Sequence, residues 1–287
     1  MSQLTNYAEN KLADMVRAQA WALPASLYIG LASVASDSAI TEFSGTGYAR
    51  VAMLRSLANW AGTQGVASTL ASTGTSHASS NNTLIDWGTS GSAWGTASHV
   101  TLHDASTGGN VIAYLPLATP WVIASGAPTS LAIGALSFTL GLSGGCSDYL
   151  ANLLIDFIWR GVAFPFPSTM YCALQTVAPT NAGGGTEVAG GGYARVPIVG
   201  SLTAWSGTQG AASTLASTGT SGQMSNNAAI AFAAPTAAWG TVTAVKYTDA
   251  ATAGNLLFWA PLASSKTIPA GATPPAFAAG AQTIAWA

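Results

Sequence analysis

The segment Trp60–Ser76 is written twice. It returns 145 residues later as Trp205–Ser221, changed only at Ala61/Ser206 and Val66/Ala211. The same offset carries Tyr48-Ala-Arg50 onto Tyr193-Ala-Arg195, Asn81-Asn82 onto Asn226-Asn227, Trp94-Gly95 onto Trp239-Gly240, and Asp104 onto Asp249. A repeat of this length is far too long for a solenoid unit and matches the size of a domain. The 287 residues therefore read as one domain written twice, each copy large enough to bury its own core. The copies are expected at 1–143 and 146–287, joined at Gly144-Gly145.

Composition narrows the function. Eight Lys+Arg and ten Asp+Glu make the charged share 6%, against a usual quarter or so. Eight scattered cations cannot assemble the basic face that nucleic acid needs, so nucleic acid is excluded as a partner. Solubility must come from Ser, Thr, Asn and Gly. A net charge of −2 favours association over dispersal, which suits a protein held in an assembly. Mean hydropathy is +0.37, but no apolar run reaches the 18 or so residues of a spanning helix. The longest, Leu150 to Phe164, is interrupted by Asn152, Asp156 and Arg160, so no membrane insertion is expected. The N-terminus lacks a basic region followed by an apolar core, so no signal peptide is expected. Cys146 and Cys172 occupy non-equivalent places and imply no disulfide; Cys172 reads as a core residue.

Thr5 or Asn6 caps a helix expected to run to about Ala22, with Leu12, Met15 and Val16 on one face and Asn6, Asn10 and Asp14 on the other. Pro24 is expected to end it. Strands follow at Ser26–Ala32, after which comes a polar loop with Asp37 and Ser38, then at Tyr48–Leu54 and Asn82–Trp87, with Leu84 facing the core. Trp94-Gly95 opens a hairpin whose first arm places His99, Thr101 and His103 on one face and Val100 and Leu102 on the other. The second copy repeats this plan, beginning with a helix from Ser147 or Asp148 to about Gly161. That helix is apolar over most of its circumference, apart from a stripe of Asp148, Asn152, Asp156 and Arg160. It is expected to pack on its own copy and also against the other copy or another subunit. Many short strands with Gly, Pro and Asn turns argue a mainly β fold: two tandem β-sandwich (jelly-roll-like) domains, each preceded by one α-helix.

No residue set carries a reaction. His99 and His103 lack a Cys or carboxylate at ligand spacing, and Ala244 and Thr248 stand in their places in the second copy, so they read as a solvated face. Asp104 and Asp249 read as turn carboxylates bonding their own backbone. Glu42/Arg50 and Glu187/Arg195 recur together and are expected to satisfy one another. Trp94 and Trp239 read as core plugs beside tight turns, with a sugar-stacking platform as the alternative. No catalytic, metal-ligating or cofactor-binding residue, and no cofactor, is expected. The neutral twinned segments Trp60–Ser76 and Trp205–Ser221 are expected to be short strand, turn and loop. They are also expected to project and to add to a sheet edge of a neighbouring chain or the partner copy.

The opening Leu-Thr-Asn-Tyr-Ala-Glu-Asn-Lys-Leu-Ala-Asp leads to Pro-Ala-Ser-Leu-Tyr-Ile-Gly-Leu and Thr-Glu-(x)-(x)-Gly-(x)-Gly-Tyr-Ala-Arg. Asn-Asn-(x)-(x)-Ile, Ala-Trp-Gly-Thr, Asp-Ala-(x)-(x)-(x)-Gly-Asn and Pro-Leu follow. This order resembles the family of phage tail fibre proteins, here as a tandem duplication. The resemblance implies a non-enzymatic virion component outside the capsid. Its expected partners are other virion proteins and further copies of itself, with a host surface glycan as a further one. A carbohydrate- or receptor-binding module and a capsid decoration protein are the alternative readings.

Overall fold

The computed structural model describes residues 4–37, 39–140 and 145–286; Ser38 and Gly144, named above in a loop and a linker, lie outside them. The chain forms two compact units. Unit 1 is Met1–Glu9, Ala22–Gly141 and Asn152–Phe164; unit 2 is Asn10–Trp21, Leu142–Ala151 and Pro165–Ala287. Each unit thus contains the end of the helix that belongs to the other sequence copy.

The elements of the first copy are α1 (Asn6–Val16), β1 (Ser26–Ala35), β2 (Ile40–Glu42), β3 (Val51–Leu54), β4 (Ala78–Ser80), β5 (Ile85–Thr89), β6 (Gly95–His103), β7 (Val111–Ile123), β8 (Pro128–Leu131) and β9 (Ser137–Thr139). All pairings are antiparallel. β1 is central. β6 lines one of its edges, from Tyr28↔His103 to Ala32↔His99, and β7 extends the sheet beyond β6. The other edge is shared end to end by β3 and β2, with an irregularity between Ala32 and Val34 where β2 pairs. The ladders β4–β9 and β5–β8 supply the rest of the sandwich. Alternation buries Leu27, Ile29 and Leu31 of β1 with Val100 and Leu102 of β6 and, from the ladders, Ile85 and Phe138.

The second copy repeats the order: α2 (Asp148–Ile158), β10 (Thr169–Val177), β11 (Thr186–Glu187), β12 (Val196–Val199), β13 (Gln223–Ser225), β14 (Ile230–Ala231), β15 (Gly240–Thr248), β16 (Leu256–Ile268), β17 (Ala276–Phe277) and β18 (Thr283–Ala285). Its sheet runs β11–β10–β15–β16 with β12 also on β10, and its ladders are β13–β18 and β14–β17. The protein is mainly β, in two tandem sandwich-like halves with one helix each.

Several local expectations need correction. The first helix ends at Val16, not near Ala22. Ala18 takes a left-handed φ of 60°, and Gln19 N–H returns to Asp14 O at 2.8 Å, so a local cap rather than Pro24 stops it. α2 likewise ends at Ile158, closed by Gly161 at φ 70° and by Val162 N–H on Asp156 O. The strand expected at Tyr48–Leu54 begins only at Val51: its ladder with β1 ends at Ile29↔Val51, and beyond it the Leu31 N–H is taken by the Tyr48 hydroxyl instead of a backbone carbonyl. Leu84 is 55% exposed, and its neighbour Ile85 enters the core instead. The strand expected at Asn82–Trp87 starts only at Ile85, where its ladder with Leu131 begins, so Leu84 lies outside it.

Candidate functional site

Each twinned segment is a socket for the end of a helix. In unit 1, Trp60 is fully buried and the chain from it loops back on itself. Its only β pairing is a single bridge, Trp60↔Asn81. Ala67 adopts a φ of 68°, its N–H held by Asn82 Oδ1 at 2.8 Å; Ala212 and Asn227 repeat this at 64° and 2.9 Å. Gly74 passes so close to Thr63 that an added Cβ would sit 2.6 Å from the Thr63 carbonyl oxygen. The recurring Gly and Asn residues are therefore geometric requirements of the loop.

The end of α2 fills this loop. Arg160 Nε donates to Trp60 O (3.1 Å), and Nη2 donates to Leu70 O (2.6 Å) and Ser68 O (3.4 Å). Nη1 pairs with Asp156 (2.5 Å) and reaches Ser72 Oγ (3.2 Å). Asp156 in turn accepts from Ser72 N–H (2.9 Å) and Ser72 Oγ (2.6 Å), and Asn152 accepts from Thr63 Oγ1 (2.6 Å). Arg160 and Asp156 are both buried. A desolvated ion pair of this kind is tolerable only when its remaining donors and acceptors are satisfied, as they are here. On the apolar side Trp159 stacks on Phe138 at 5.9 Å. Arg55 Nε donates to Ile158 O at 2.9 Å, and its Nη2 donates to Phe157 O, which places a cation at the helix C-terminus.

Unit 2 holds the same arrangement with α1. Arg17 pairs with Asp14 (2.7 Å) and donates to Trp205 O (3.0 Å), Ser213 O (3.3 Å) and Ser217 Oγ (3.2 Å). Asp14 accepts from Ser217, and Asn10 accepts from Thr208 Oγ1. The opposite end of each helix is anchored on its own copy. Thr5 Oγ1 donates to Val111 O (2.5 Å), and Ser147 Oγ donates to Leu256 O (2.5 Å). Both hydroxyls also cap their helices, accepting from Ala8 N–H and Leu150 N–H. α2 does pack on both copies, as its all-round apolarity implied. The twinned segments meet the partner copy too, but through carbonyls wrapped around a guanidinium, not as an added strand. The stripe and the repeated loop were both visible in sequence; their mutual fit was the signal missed.

The Glu–Arg pairs form a second cluster. Arg50 grips Glu42 with Nε (2.8 Å) and Nη2 (2.6 Å), while Nη1 donates to Ala105 O (2.6 Å) and Gly108 O (2.8 Å) of the β6–β7 turn. Asp104 closes that turn by accepting from Asn110 N–H (2.6 Å) and Asn110 Nδ2 (2.7 Å). Arg195, Glu187 and Asp249 repeat this. Tyr48 Oη donates to Glu42 (2.9 Å) and accepts from Leu31 N–H (2.8 Å), where the pairing edge of β1 passes from β3 to β2. Burial raises the Glu42 pKa, but the hydrogen bonds from Arg50 and Tyr48 and the nearby positive charge outweigh it and hold the carboxyl below its ordinary value; Glu187 behaves likewise. Burial pushes the Tyr48 and Tyr193 hydroxyls well up.

The copies differ beneath this cluster. Copy 1 has Gly30, whose missing Cβ would lie 2.8 Å from Glu42 Oε1 and from Thr101 Oγ1. Copy 2 has Ala173 there, with Lys246 in place of Thr101 and paired to Glu187 at 3.1 Å. The face read as solvated is not so at its far end. His103 is 1% exposed, hydrogen-bonded to Thr101 Oγ1 at 2.8 Å, and its pKa is pushed down to about 4 by burial. His99 bonds Ser98 Oγ instead, and four residues of strand place the two Cα atoms roughly 13 Å apart. Among the described residues no three His, Cys, Asp or Glu side chains are grouped to hold a metal. Trp94 and Trp239 are buried plugs, their Nε1 donating to Thr46 O and Gly191 O at 3.0 Å. Both cysteines are free and buried, and burial pushes the Cys172 thiol up to about 12. Among the described residues no helix is long and apolar enough to cross a membrane.

These features define a class: a duplicated, mainly β structural protein whose recurring ionic groups fasten its own turns and helix ends. The chain belongs to the family of the Podophage GP4 fiber I protein gp80, whose family model matches residues 3–139 and, a second time, residues 145–285. It is a phage fibre protein and a component of the virion. No curated protein matches the chain.

Proposed function

We propose that the chain is a structural, non-enzymatic subunit of a phage tail fibre or adjacent appendage. It assembles with other virion proteins and with further copies of itself, and it contributes to host attachment. Its building blocks are the sequence copies 1–143 and 146–287. The observation that carries the reading is the pairing of a fibre-family match in both copies with an exposed apolar residue at the same place in each. Leu70 and Leu215, at equivalent positions of the two sockets, are both 72% exposed. All five arginines are engaged in internal contacts. No tryptophan is exposed: eight of the ten are buried and Trp121 and Trp259 are half-buried, which offers little for stacking on a sugar.

The test is immunogold labelling of intact virions with antibody to this protein, beside the incorporation of a Leu70→Ser/Leu215→Ser variant. Gold on the fibres, and a folded variant missing from particles, is the expected result. Gold over the capsid surface would establish the decoration reading instead. Specific signal from the isolated protein on a glycan array would establish the carbohydrate-binding one.

A further inference from the structure

We infer that this chain is a helix-exchanged dimer whose two protomers have been joined end to end, and that the sockets rather than the peptide link hold the halves together. Each half gives and receives the same part. The first copy anchors α1 at Thr5 and sends Asn10, Asp14 and Arg17 into the loop 205–217. The second anchors α2 at Ser147 and sends Asn152, Asp156 and Arg160 into the loop 60–72. Neither half fills its own socket in this structure. An empty socket would leave the carbonyls of Trp60 and Leu70 and the N–H of Ser72 without these partners, and would leave a buried guanidinium–carboxylate pair without its cradle.

The occupant a socket selects is a helix carrying Asn, then Asp four residues on, then Arg three or four residues further. The Arg spacing differs between α1 and α2 while the sockets are almost identical in sequence. A socket therefore accepts either helix, and the partner that a lone copy would take is a second copy. Exchange of an identical element between protomers is a common route to dimers, and joining such protomers turns an intermolecular association into an intramolecular one. Arg55 makes the sockets unequal. It holds the α2 carbonyls in the first, whereas in the second Gly200 stands at the equivalent place, where an added Cβ would lie 2.7 Å from Val16 O.

The test uses the full chain with a site-specific protease sequence inserted between Gly141 and Gly144. The purified protein is cut, complete cleavage is checked on a denaturing gel, and the product is run on native gel filtration over a dilution series. The two fragments are expected to elute together at the volume of the uncut chain. In the cut Arg17→Gln/Arg160→Gln variant they should separate at protein concentrations at least 100-fold higher than any that part the wild type. Asn10→Ala/Asn152→Ala replaces this variant if its uncut form lacks the wild-type circular dichroism. Separation of the cut wild type into folded halves would overturn the inference. So would a cut variant that holds together as tightly as the wild type.

Discussion

At the scale of single residues, Arg160 shows why so few charges suffice. Its five N–H donors all find acceptors, and three of those acceptors are carbonyls of one loop. Arg160→Ala removes the cation and leaves Asp156 buried beside Ser72. Stranding one member of a buried pair costs about 3–5 kcal/mol, so the urea midpoint should fall accordingly. A change below 1 kcal/mol or so would mean that the socket contributes little to stability. His103 makes a different prediction. It is neutral when folded, with its pKa near 4 against 6.5 unfolded, and the charged groups acting on it are Arg50, Glu42 and Asp104. Above pH 6.5 neither state binds the proton. Between 6.5 and 4 only the unfolded chain does, so stability falls with falling pH, by roughly 3 kcal/mol across 2.5 pH units. Glu42 and Glu187, held below their ordinary 4.5, add a further loss that begins as the pH falls through 4.5 and is complete below their folded values. His103→Thr, which installs the residue found as Thr248, should flatten the window from 6.5 to 4. A loss of stability between pH 7 and 4.5, read from urea midpoints at the two pH values, that is as large in the variant as in the wild type would refute this.

At the scale of elements, the twinned loop is the instructive case. Its lack of charge and its mix of Gly, Ser and Thr read as a segment free to leave the sandwich. On that reading, deleting 62–74 and 207–219 leaves a folded monomer that no longer assembles. The structure reverses this expectation. Thr63 and Ser72 are buried against α2, and Thr208 and Ser217 against α1. The deletion strands two ion pairs, so the cooperative thermal transition should be lost or fall steeply. A deletion variant that melts within a few degrees of the intact chain would restore the free-loop reading. The Asp104 and Asp249 turns, the Trp94 and Trp239 plugs and the caps at Thr5 and Ser147 were legible beforehand, because each is written within a few residues of chain. Leu84 and the extent of α1 were not. Where β5 begins depends on its ladder partner, Ile85 on Leu131, and the end of α1 on a left-handed alanine that no propensity marks.

At the scale of the whole molecule, the sequence by itself determined the duplication, the mainly β class with one helix per copy, the fibre family and the pairing of Glu42 with Arg50 and Glu187 with Arg195. These follow from period, composition and recurrence, which survive without coordinates. Only the tertiary structure decided which loop each helix end enters. Asn10, Asp14 and Arg17 form the same stripe whether they face water, their own copy's loop or its twin's. The loops at 60–76 and 205–221 are too alike to tell the helices apart on paper. What chooses is where each helix starts: Thr5 on Val111 and Ser147 on Leu256 fix one end, and a rigid helix of three turns carries its arginine to the twin's loop.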